Sequence, residues 1–299
     1  MDTLDGAMLV WFILTGASLA FVIWDSVYNG VTSWVQRTAW ILVTAYTGPV
    51  GAFFYLLACR RPFPGGHDEF TAATWKQGLN SEMHCLAGDA TGIVVAASIV
   101  PAFALSNGWD ITIEYLAAYA FGLFIFQALM MIGMFDGNYF KAVRKTVFVE
   151  TVSMNFVMVG MIPTMVILAA AWEGSEDPLE PSFWFRMSLA TIVGGVLAFP
   201  VNYWLVKNHI KHGCMTLPGV DGPANGMGHR SPETASMQGM EGMDMEGMEN
   251  MKGMDHHHMT MNSLPFAASA AWVIGSFAVL FGALWLTNLW VPIRFTAGG

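Results

Sequence analysis

Charged residues are scarce in this sequence: only 12% of its 299 positions are Asp, Glu, Lys or Arg, whereas 55% are hydrophobic. The mean hydropathy is +0.48. Both values lie outside the range of soluble globular domains. The composition therefore predicts a membrane protein surrounded by lipid. Because the formal net charge is −9, we expect no nucleic-acid partner.

Cysteine is also scarce, with only Cys59, Cys85 and Cys214, and no CxxC pair occurs. This excludes a disulfide framework and leaves free thiols or metal ligands as roles for these residues. No basic segment precedes the apolar run that starts near Ala7, so we expect a retained helix there and not a cleaved signal. No G-x4-GK[ST] nucleotide loop is present, and we expect neither a built-in ATPase nor another enzymatic activity.

Apolar runs long enough to cross a hydrocarbon core occur seven times, and a core about 30 Å thick needs about 20 such residues per helix. The sequence therefore predicts an all-α, polytopic transmembrane bundle of about seven helices. Residues 1–213 would hold six helices, 214–264 a disordered loop, and 265–299 the seventh helix and a tail. The predicted helices are 7 to 25, 39 to 58, 84 to 105, 113 to 135, 147 to 171, 184 to 206 and 266 to 290.

Three predicted helices contain proline, which favours kinks at Pro49, Pro163 and Pro200. Gly88 and Gly92 form a small-xxx-small face, which favours close helix contact.

Basic residues predict the orientation, because short loops rich in Lys and Arg tend to remain cytoplasmic. Three of the 13 basic residues, Arg37, Arg186 and Arg294, fall on the side opposite to the other ten. The N-terminus and the loop are therefore predicted to be cytoplasmic, and the C-terminus outside. The ten are Arg60, Arg61, Lys76, Lys141, Arg144, Lys145, Lys207, Lys211, Arg230 and Lys252.

Half of the methionines lie in the long loop, 11 of 22. Its glycine, proline and acids cannot form a core, which predicts disorder. Thioethers suit Cu(I) and imidazoles bind copper, zinc or nickel, so the loop is predicted to bind metal. A low-complexity tract or a flexible protein-binding tract is the alternative. The candidate ligands are Met243, Met245, Met248, Met251, Met254, His256, His257, His258 and Met259.

A methionine stripe runs along the predicted helix 147 to 171, through Met154, Met158, Met161 and Met165. At about 100° per residue these four lie within roughly a 60° arc, and they extend over about 16 Å. Adaptable core packing is the ordinary interpretation of such a stripe. A path for a soft metal ion is the functional one.

Further metal-ligand candidates gather at the predicted cytoplasmic end. Cys85 and Asp89 are four residues apart and share a helix face, with His84 beside them. Ionisable groups at membrane depth are costly and indicate function by default, although a hydrogen-bonded interfacial cluster is the alternative. The candidates are Met83, His84, Cys85, Asp89, Met130, Met134, Glu150, His209, His212, Cys214 and Met215.

Four runs resemble a bacterial family of multi-pass inner-membrane proteins known only as a domain of unknown function. They are NSEMHCLAGDATGI (80–93), FGLFIFQALMM (121–131), SMNFVMVGMIP (153–163) and FWFRMSLATIVGGVLAFPVNYWLVKNHIKHG (183–213). The resemblance implies a bacterial inner-membrane location and no established reaction. The family's marks are carried here by His84, Cys85, Asp89, Met154, Asn155, Met158, Met161, Pro200, Asn202 and His212.

Together these patterns predict a protein that binds Cu(I) and transports it, for uptake or homeostasis, with a copper chaperone or a second copy as partner. Ag(I) or a mercuric ion fits the same ligands. A membrane oxidoreductase or metallo-cofactor assembly factor is a second hypothesis, but it needs paired histidines, and no predicted helix core contains one. A scaffold with a metal-buffering loop is the third.

Overall fold

The computed structural model describes residues 3–29, 34–60, 70–213 and 262–296, and in these ranges it is all helical, without strands. Six of the described helices are long and apolar enough to cross a membrane, so the chain is a multi-pass membrane protein. The all-α bundle is confirmed.

The helices are α1 (Thr3–Tyr28), α2 (Trp34–Thr47), α3 (Pro49–Ala58), α4 (Thr74–Ile99), α5 (Asn107–Ala120), α6 (Ala128–Met131), α7 (Tyr139–Ala171), α8 (Pro181–Lys207) and α9 (Phe266–Asn288). Between α5 and α6 the backbone forms a π-helical turn, Phe121–Gln127. Short 3₁₀ turns follow α4 and α6, at Val100–Phe103 and Ile132–Phe135.

The predicted second helix, 39 to 58, is not continuous. It divides at Gly48 into α2 and α3 because Pro49 has no N–H to continue the helical ladder and Gly48 has φ +58°, outside the helical region. The prediction of a simple kink at Pro49 was therefore wrong. Pro163 and Pro200 do lie inside α7 and α8.

The predicted third helix, 84 to 105, was placed too late. It begins at Thr74 as α4, so that His84 and Cys85 lie well inside the helix and not at its start. Its polar side chains from Asn80 to His84, which lowered the hydropathy there, are buried against other helices and not exposed to lipid. Tertiary burial therefore extends this helix further than its apolar content indicated.

The core of the bundle lies between α4, α7 and α8, with α5 and α2 packed around them. Polar side chains connect the surrounding helices to it. Asn80 Oδ1 accepts from Trp40 Nε1 of α2 at 3.1 Å, and Asn80 Nδ2 donates to the Ala58 carbonyl of α3 at 2.8 Å. Asn155 Oδ1 accepts from Tyr115 Oη of α5 at 2.7 Å, and Asn155 Nδ2 donates to Ser276 Oγ of α9 at 2.9 Å.

Close contact at the glycine face of α4 is confirmed. A Cβ added to Gly92 would lie 2.6 Å from the Ala118 Cα atom, and one added to Gly88 would lie 2.8 Å from the Gly122 Cα atom. The missing side chains let α4 approach α5 at Gly92 and the π-helical turn at Gly88 to backbone contact.

Gly48→Ala is predicted to destabilise the protein by about 1–3 kcal/mol, because alanine at this positive φ is strained and its Cβ would collide with Thr15 Oγ1. Thermal unfolding of the detergent-purified protein measures the effect. Gly16→Ala is the control: its Cβ meets nothing within 4 Å, so no loss is expected. Equal unfolding temperatures for the two variants would contradict the strain at Gly48.

Candidate functional site

A group of polar side chains is enclosed in the core around Cys85, each at most 3% exposed. They come from α4, the π-helical turn, α7, α8 and the segment that follows α8. We call this group the buried cluster. Its members are His84, Cys85, Asp89, Gln127, Glu150, Ser153, Asn202 and Lys211.

The thiol of Cys85 is at the centre of the cluster. Its Sγ lies 3.2 Å from Glu150 Oε2 and 3.6 Å from Gln127 Oε1, and either oxygen can accept a hydrogen bond from the thiol. It also lies 3.5 Å from His84 Nδ1 and accepts a hydrogen bond from Lys211 Nζ at 3.1 Å. A sulfur surrounded by a cation, a carboxyl and an imidazole differs from a cysteine packed as a small apolar residue.

Lys211 reaches the cluster because the chain reverses after α8. His209 takes φ +57°, and the Lys211 N–H donates back to the Leu205 carbonyl at 3.2 Å. Its ammonium donates to Asn202 Oδ1 at 2.6 Å, to Ser153 Oγ at 3.1 Å and to Cys85 Sγ. All three ammonium protons therefore have acceptors. Lys211 does follow the predicted sixth helix, but its side chain is 3% exposed, and this burial was not predicted.

Two carboxyl groups meet beside the π-helical turn. A Cβ on Gly122 would lie 2.6 Å from Asp89 Oδ1 and would overlap Glu150 Oε1, so only glycine leaves room for both. Both oxygens of Asp89 and Oε1 of Glu150 have no hydrogen-bond partner among the described residues. π-Helical turns inside α-helices occur frequently at functional sites, and this one creates the space that the two carboxyl groups share.

The methionine stripe of α7 is buried. Met154, Met158 and Met161 are fully enclosed and Met165 is 5% exposed. The stripe continues from the cluster, because Glu150 precedes Met154 by one helical turn. Met83 and Met130 are buried in the same core.

At its other end the stripe reaches a cavity of about 780 Å³, which Met165 lines. Arg186, a side chain only 5% exposed, also lines it. The cavity lies at the end of the bundle opposite to Lys211. Its wall contains four acidic residues, Asp110, Glu114, Glu176 and Asp177.

Other predicted ligands lie apart from the cluster. His209 is exposed and Met134 is half-buried in a 3₁₀ turn. His212 is half-buried; burial lowers its pKa, while a backbone hydrogen bond at Gly213 acts in the opposite direction. Its Nδ1 has no partner among the described residues. Cys214 and the loop candidates, Met243 to Met259, lie outside the described residues, as does the predicted disorder of that loop.

Within the described ranges, no three His, Cys, Asp or Glu side chains are arranged as a preformed metal site. His84 and Cys85 touch each other, and Asp89 interacts with the thiol electrostatically. The statement that no helix core contains a histidine was wrong, because α4 encloses His84.

Three cluster members were missed by sequence reasoning: Gln127, Ser153 and Lys211. Each occurs in a family-like run, but a lone Gln or Ser in an apolar helix carries little signal. Lys211 stands directly before His212 at the end of such a run. Its position next to a candidate ligand, just beyond a helix end, was the signal in the sequence that could have indicated a role for Lys211 in the site.

A family model matches residues 74–211. It describes a domain of unknown function, DUF4396. The matched range contains every member of the buried cluster, from His84 to Lys211, and the whole methionine stripe. Neither the curated proteins nor the solved structures contain a match to this chain. The comparison therefore shows a likeness to a domain of unknown function over this range and assigns it no reaction.

Asn202→Leu is predicted to destabilise the protein by about 2–3 kcal/mol, since it removes an acceptor from a buried ammonium. The same substitution in a Lys211→Met background is expected to cost about 1 kcal/mol less, because no ammonium then needs that acceptor. Denaturation in detergent measures all four members of the cycle. Asn208→Leu, at an exposed position, is the control and should change little. If the double variant lost as much unfolding free energy as the two single variants together, the Lys211–Asn202 contact would contribute no coupling energy.

Proposed function

We propose that this protein binds Cu(I) and moves it across the membrane through the α7 methionine stripe, with Cys85 as the terminal ligand. The observation that carries the proposal is the continuity of sulfur ligands. Met165 lines the acidic cavity, Met161, Met158 and Met154 follow inside the core, and Glu150, one turn further, contacts Cys85. Thioethers and thiolates are the ligands that select Cu(I).

Neutral thioethers suit a path through the membrane interior. They bind a soft ion without adding a fixed charge that would have to be desolvated in the absence of the ion. The stripe from Met154 to Met165 extends over about 16 Å, roughly half of a hydrocarbon core. The acidic cavity covers the remaining distance on one side, and the buried cluster on the other.

The charge of the cluster favours a monovalent ion. The Lys211 ammonium is a single positive charge held 3.1 Å from the Cys85 sulfur. Once the thiol proton has moved within the cluster, a Cu(I) ion at the sulfur would add one unit of positive charge, whereas a divalent ion would add two to a low-dielectric interior. Glu150 Oε2, 3.2 Å from the sulfur, can take the thiol proton when Cu(I) binds. Ag(I) satisfies the same requirements.

The acidic cavity serves as the entrance. Its concave wall holds four acidic residues against one basic residue, Arg186, and a wall with this acidic excess would attract cations. In the orientation predicted from the basic residues, this cavity faces outward in a bacterial inner membrane, and the methionine- and histidine-rich loop lies in the cytosol. Cu(I) would then enter the cell, and the loop would buffer it or pass it to a copper chaperone.

Met158→Leu is predicted to lower Cu(I) flux into proteoliposomes by about tenfold, the factor for about 1.4 kcal/mol lost at one ligand. A Cu(I) chelator sealed inside the vesicles reports the flux. Met187→Leu is the matched control, because Met187 is equally enclosed, at 1% exposed, but belongs to α8. Cys85→Ser should abolish flux.

Equal flux in the Met158→Leu and Met187→Leu proteins would exclude the stripe as a path. A protein lacking residues 214–261 tests the scaffold hypothesis separately. If the truncated protein retained no Cu(I), the loop would be the only binding site and the intramembrane path would be wrong.

Orientation can be tested with a membrane-impermeant maleimide on intact bacterial spheroplasts. In a Cys214→Ser background, Gly299→Cys is expected to be labelled from outside. Ser236→Cys, in the loop, should be labelled only after lysis. The reverse pattern would place the loop outside and turn the proposed uptake into export.

A further inference from the structure

A second buried carboxyl lies apart from the hydrogen bonds of the cluster. Glu82 is 1% exposed, and neither of its carboxyl oxygens has a hydrogen-bond partner among the described residues. Lys211 acts on it electrostatically, but the Lys211 ammonium donates to Cys85, Ser153 and Asn202 instead. Burial of an unpaired carboxylate costs several kcal/mol of folding free energy. The surroundings of Glu82 therefore indicate which group could pair with it.

Glu82 faces a cavity of about 270 Å³ between α2, α3, α4 and α8. The break at Gly48 and the absence of a side chain at Gly195 help to form it: a Cβ on Gly195 would lie 3.6 Å from Glu82 Oε1. The wall is otherwise almost entirely apolar and includes three aromatic residues, Phe54, Trp75 and Phe199.

The other polar side chains of the wall are already satisfied. Thr47 and Thr191 each donate to a carbonyl of their own helix, at 2.6 and 2.8 Å. Among the side chains that line the cavity, Glu82 is therefore the one that still requires a hydrogen-bond donor. Such a cavity, apolar with one convergent polar group, is typical of a small-molecule site.

The cavity opens toward lipid. Val196, in its wall, is 65% exposed on a membrane-spanning helix, and Trp75 is 40% exposed. A ligand that enters here must partition into hydrocarbon. Glu82 lies eight residues inside α4, about 12 Å along the helix from its start. A cavity of about 270 Å³ accommodates a small molecule and not a whole phospholipid.

We propose that the Glu82 cavity binds a small amphiphilic amine, with its apolar body among the aromatic residues and its protonated nitrogen on the Glu82 carboxylate. A protonated amine supplies both missing features, hydrogen-bond donors for two oxygens and one positive charge. Aromatic walls also attract cations. The site is separate from the proposed Cu(I) path, because no stripe methionine and no member of the buried cluster lines the cavity.

The test uses the full chain in phosphatidylcholine nanodiscs and two probes of matched shape, 4-phenylbutylamine and 4-phenylbutanol, measured by equilibrium dialysis. We expect saturable binding of the amine and at least tenfold weaker binding of the alcohol. Glu82→Gln is expected to lower amine affinity about tenfold and to leave alcohol binding unchanged. Glu150→Gln removes a buried carboxyl outside this cavity and should bind the amine normally.

A second variant tests the site without changing its charge. Gly195→Val fills the cavity beside Leu86 and Glu82 and should also abolish amine binding. Thermal unfolding verifies that each variant is folded. Equal amine binding by the wild-type and Glu82→Gln proteins would overturn the proposal, as would absence of saturable binding to the wild-type protein. Displacement of the amine by phosphatidylethanolamine in the nanodisc would assign the site to a lipid headgroup and overturn the proposal that the ligand is a free amine.

Discussion

Enclosing a lysine ammonium between the helices of a membrane protein is the constraint on which the site depends. Removal of such a cation from water costs several kcal/mol, and only close acceptors compensate for it. Lys211 has three: Asn202, Ser153 and the sulfur of Cys85. The turn at His209 carries the lysine back into the bundle, and helices α4, α7 and α8 each contribute one acceptor. The three central helices are therefore connected by one charged group as well as by apolar packing.

The same constraint explains how polar and soft groups are distributed. Two groups of ionisable side chains lie at the two ends of the methionine stripe, the buried cluster and the acidic cavity. Between these places the core uses methionine, which fills space as an apolar residue and still offers a ligand atom. A bundle core lined with methionine packs well without an ion, and under the proposed function it could also bind a soft ion. Apolar packing and Cu(I) binding would therefore both select methionine along α7, and the sequence alone does not distinguish these two roles.

Much of the fold could be predicted because hydrocarbon thickness sets the length of each helix. The spans α1, α7, α8 and α9 lie near their predicted positions for this reason. Where the predictions failed, backbone geometry or burial outweighed hydropathy. Gly48 and Pro49 divide one apolar run into two helices, and α4 begins ten residues before its apolar run because its polar side chains from Asn80 to His84 are buried by other helices. Neither burial nor a local change in φ is visible in a window of hydropathy.

The sequence by itself determined that this protein spans a membrane with helices, and it identified the sulfur and imidazole residues, because residue type and helical period suffice for both. Only the tertiary structure decided which of them meet. Cys85 and Glu150 are 65 positions apart and Cys85 and Lys211 are 126 apart, and no local pattern connects them. Their contact depends on how α4, α7 and α8 pack, on the π-helical turn that clears space at Gly122, and on the reversal of the chain after α8. A single sequence carries no record of those three-dimensional choices.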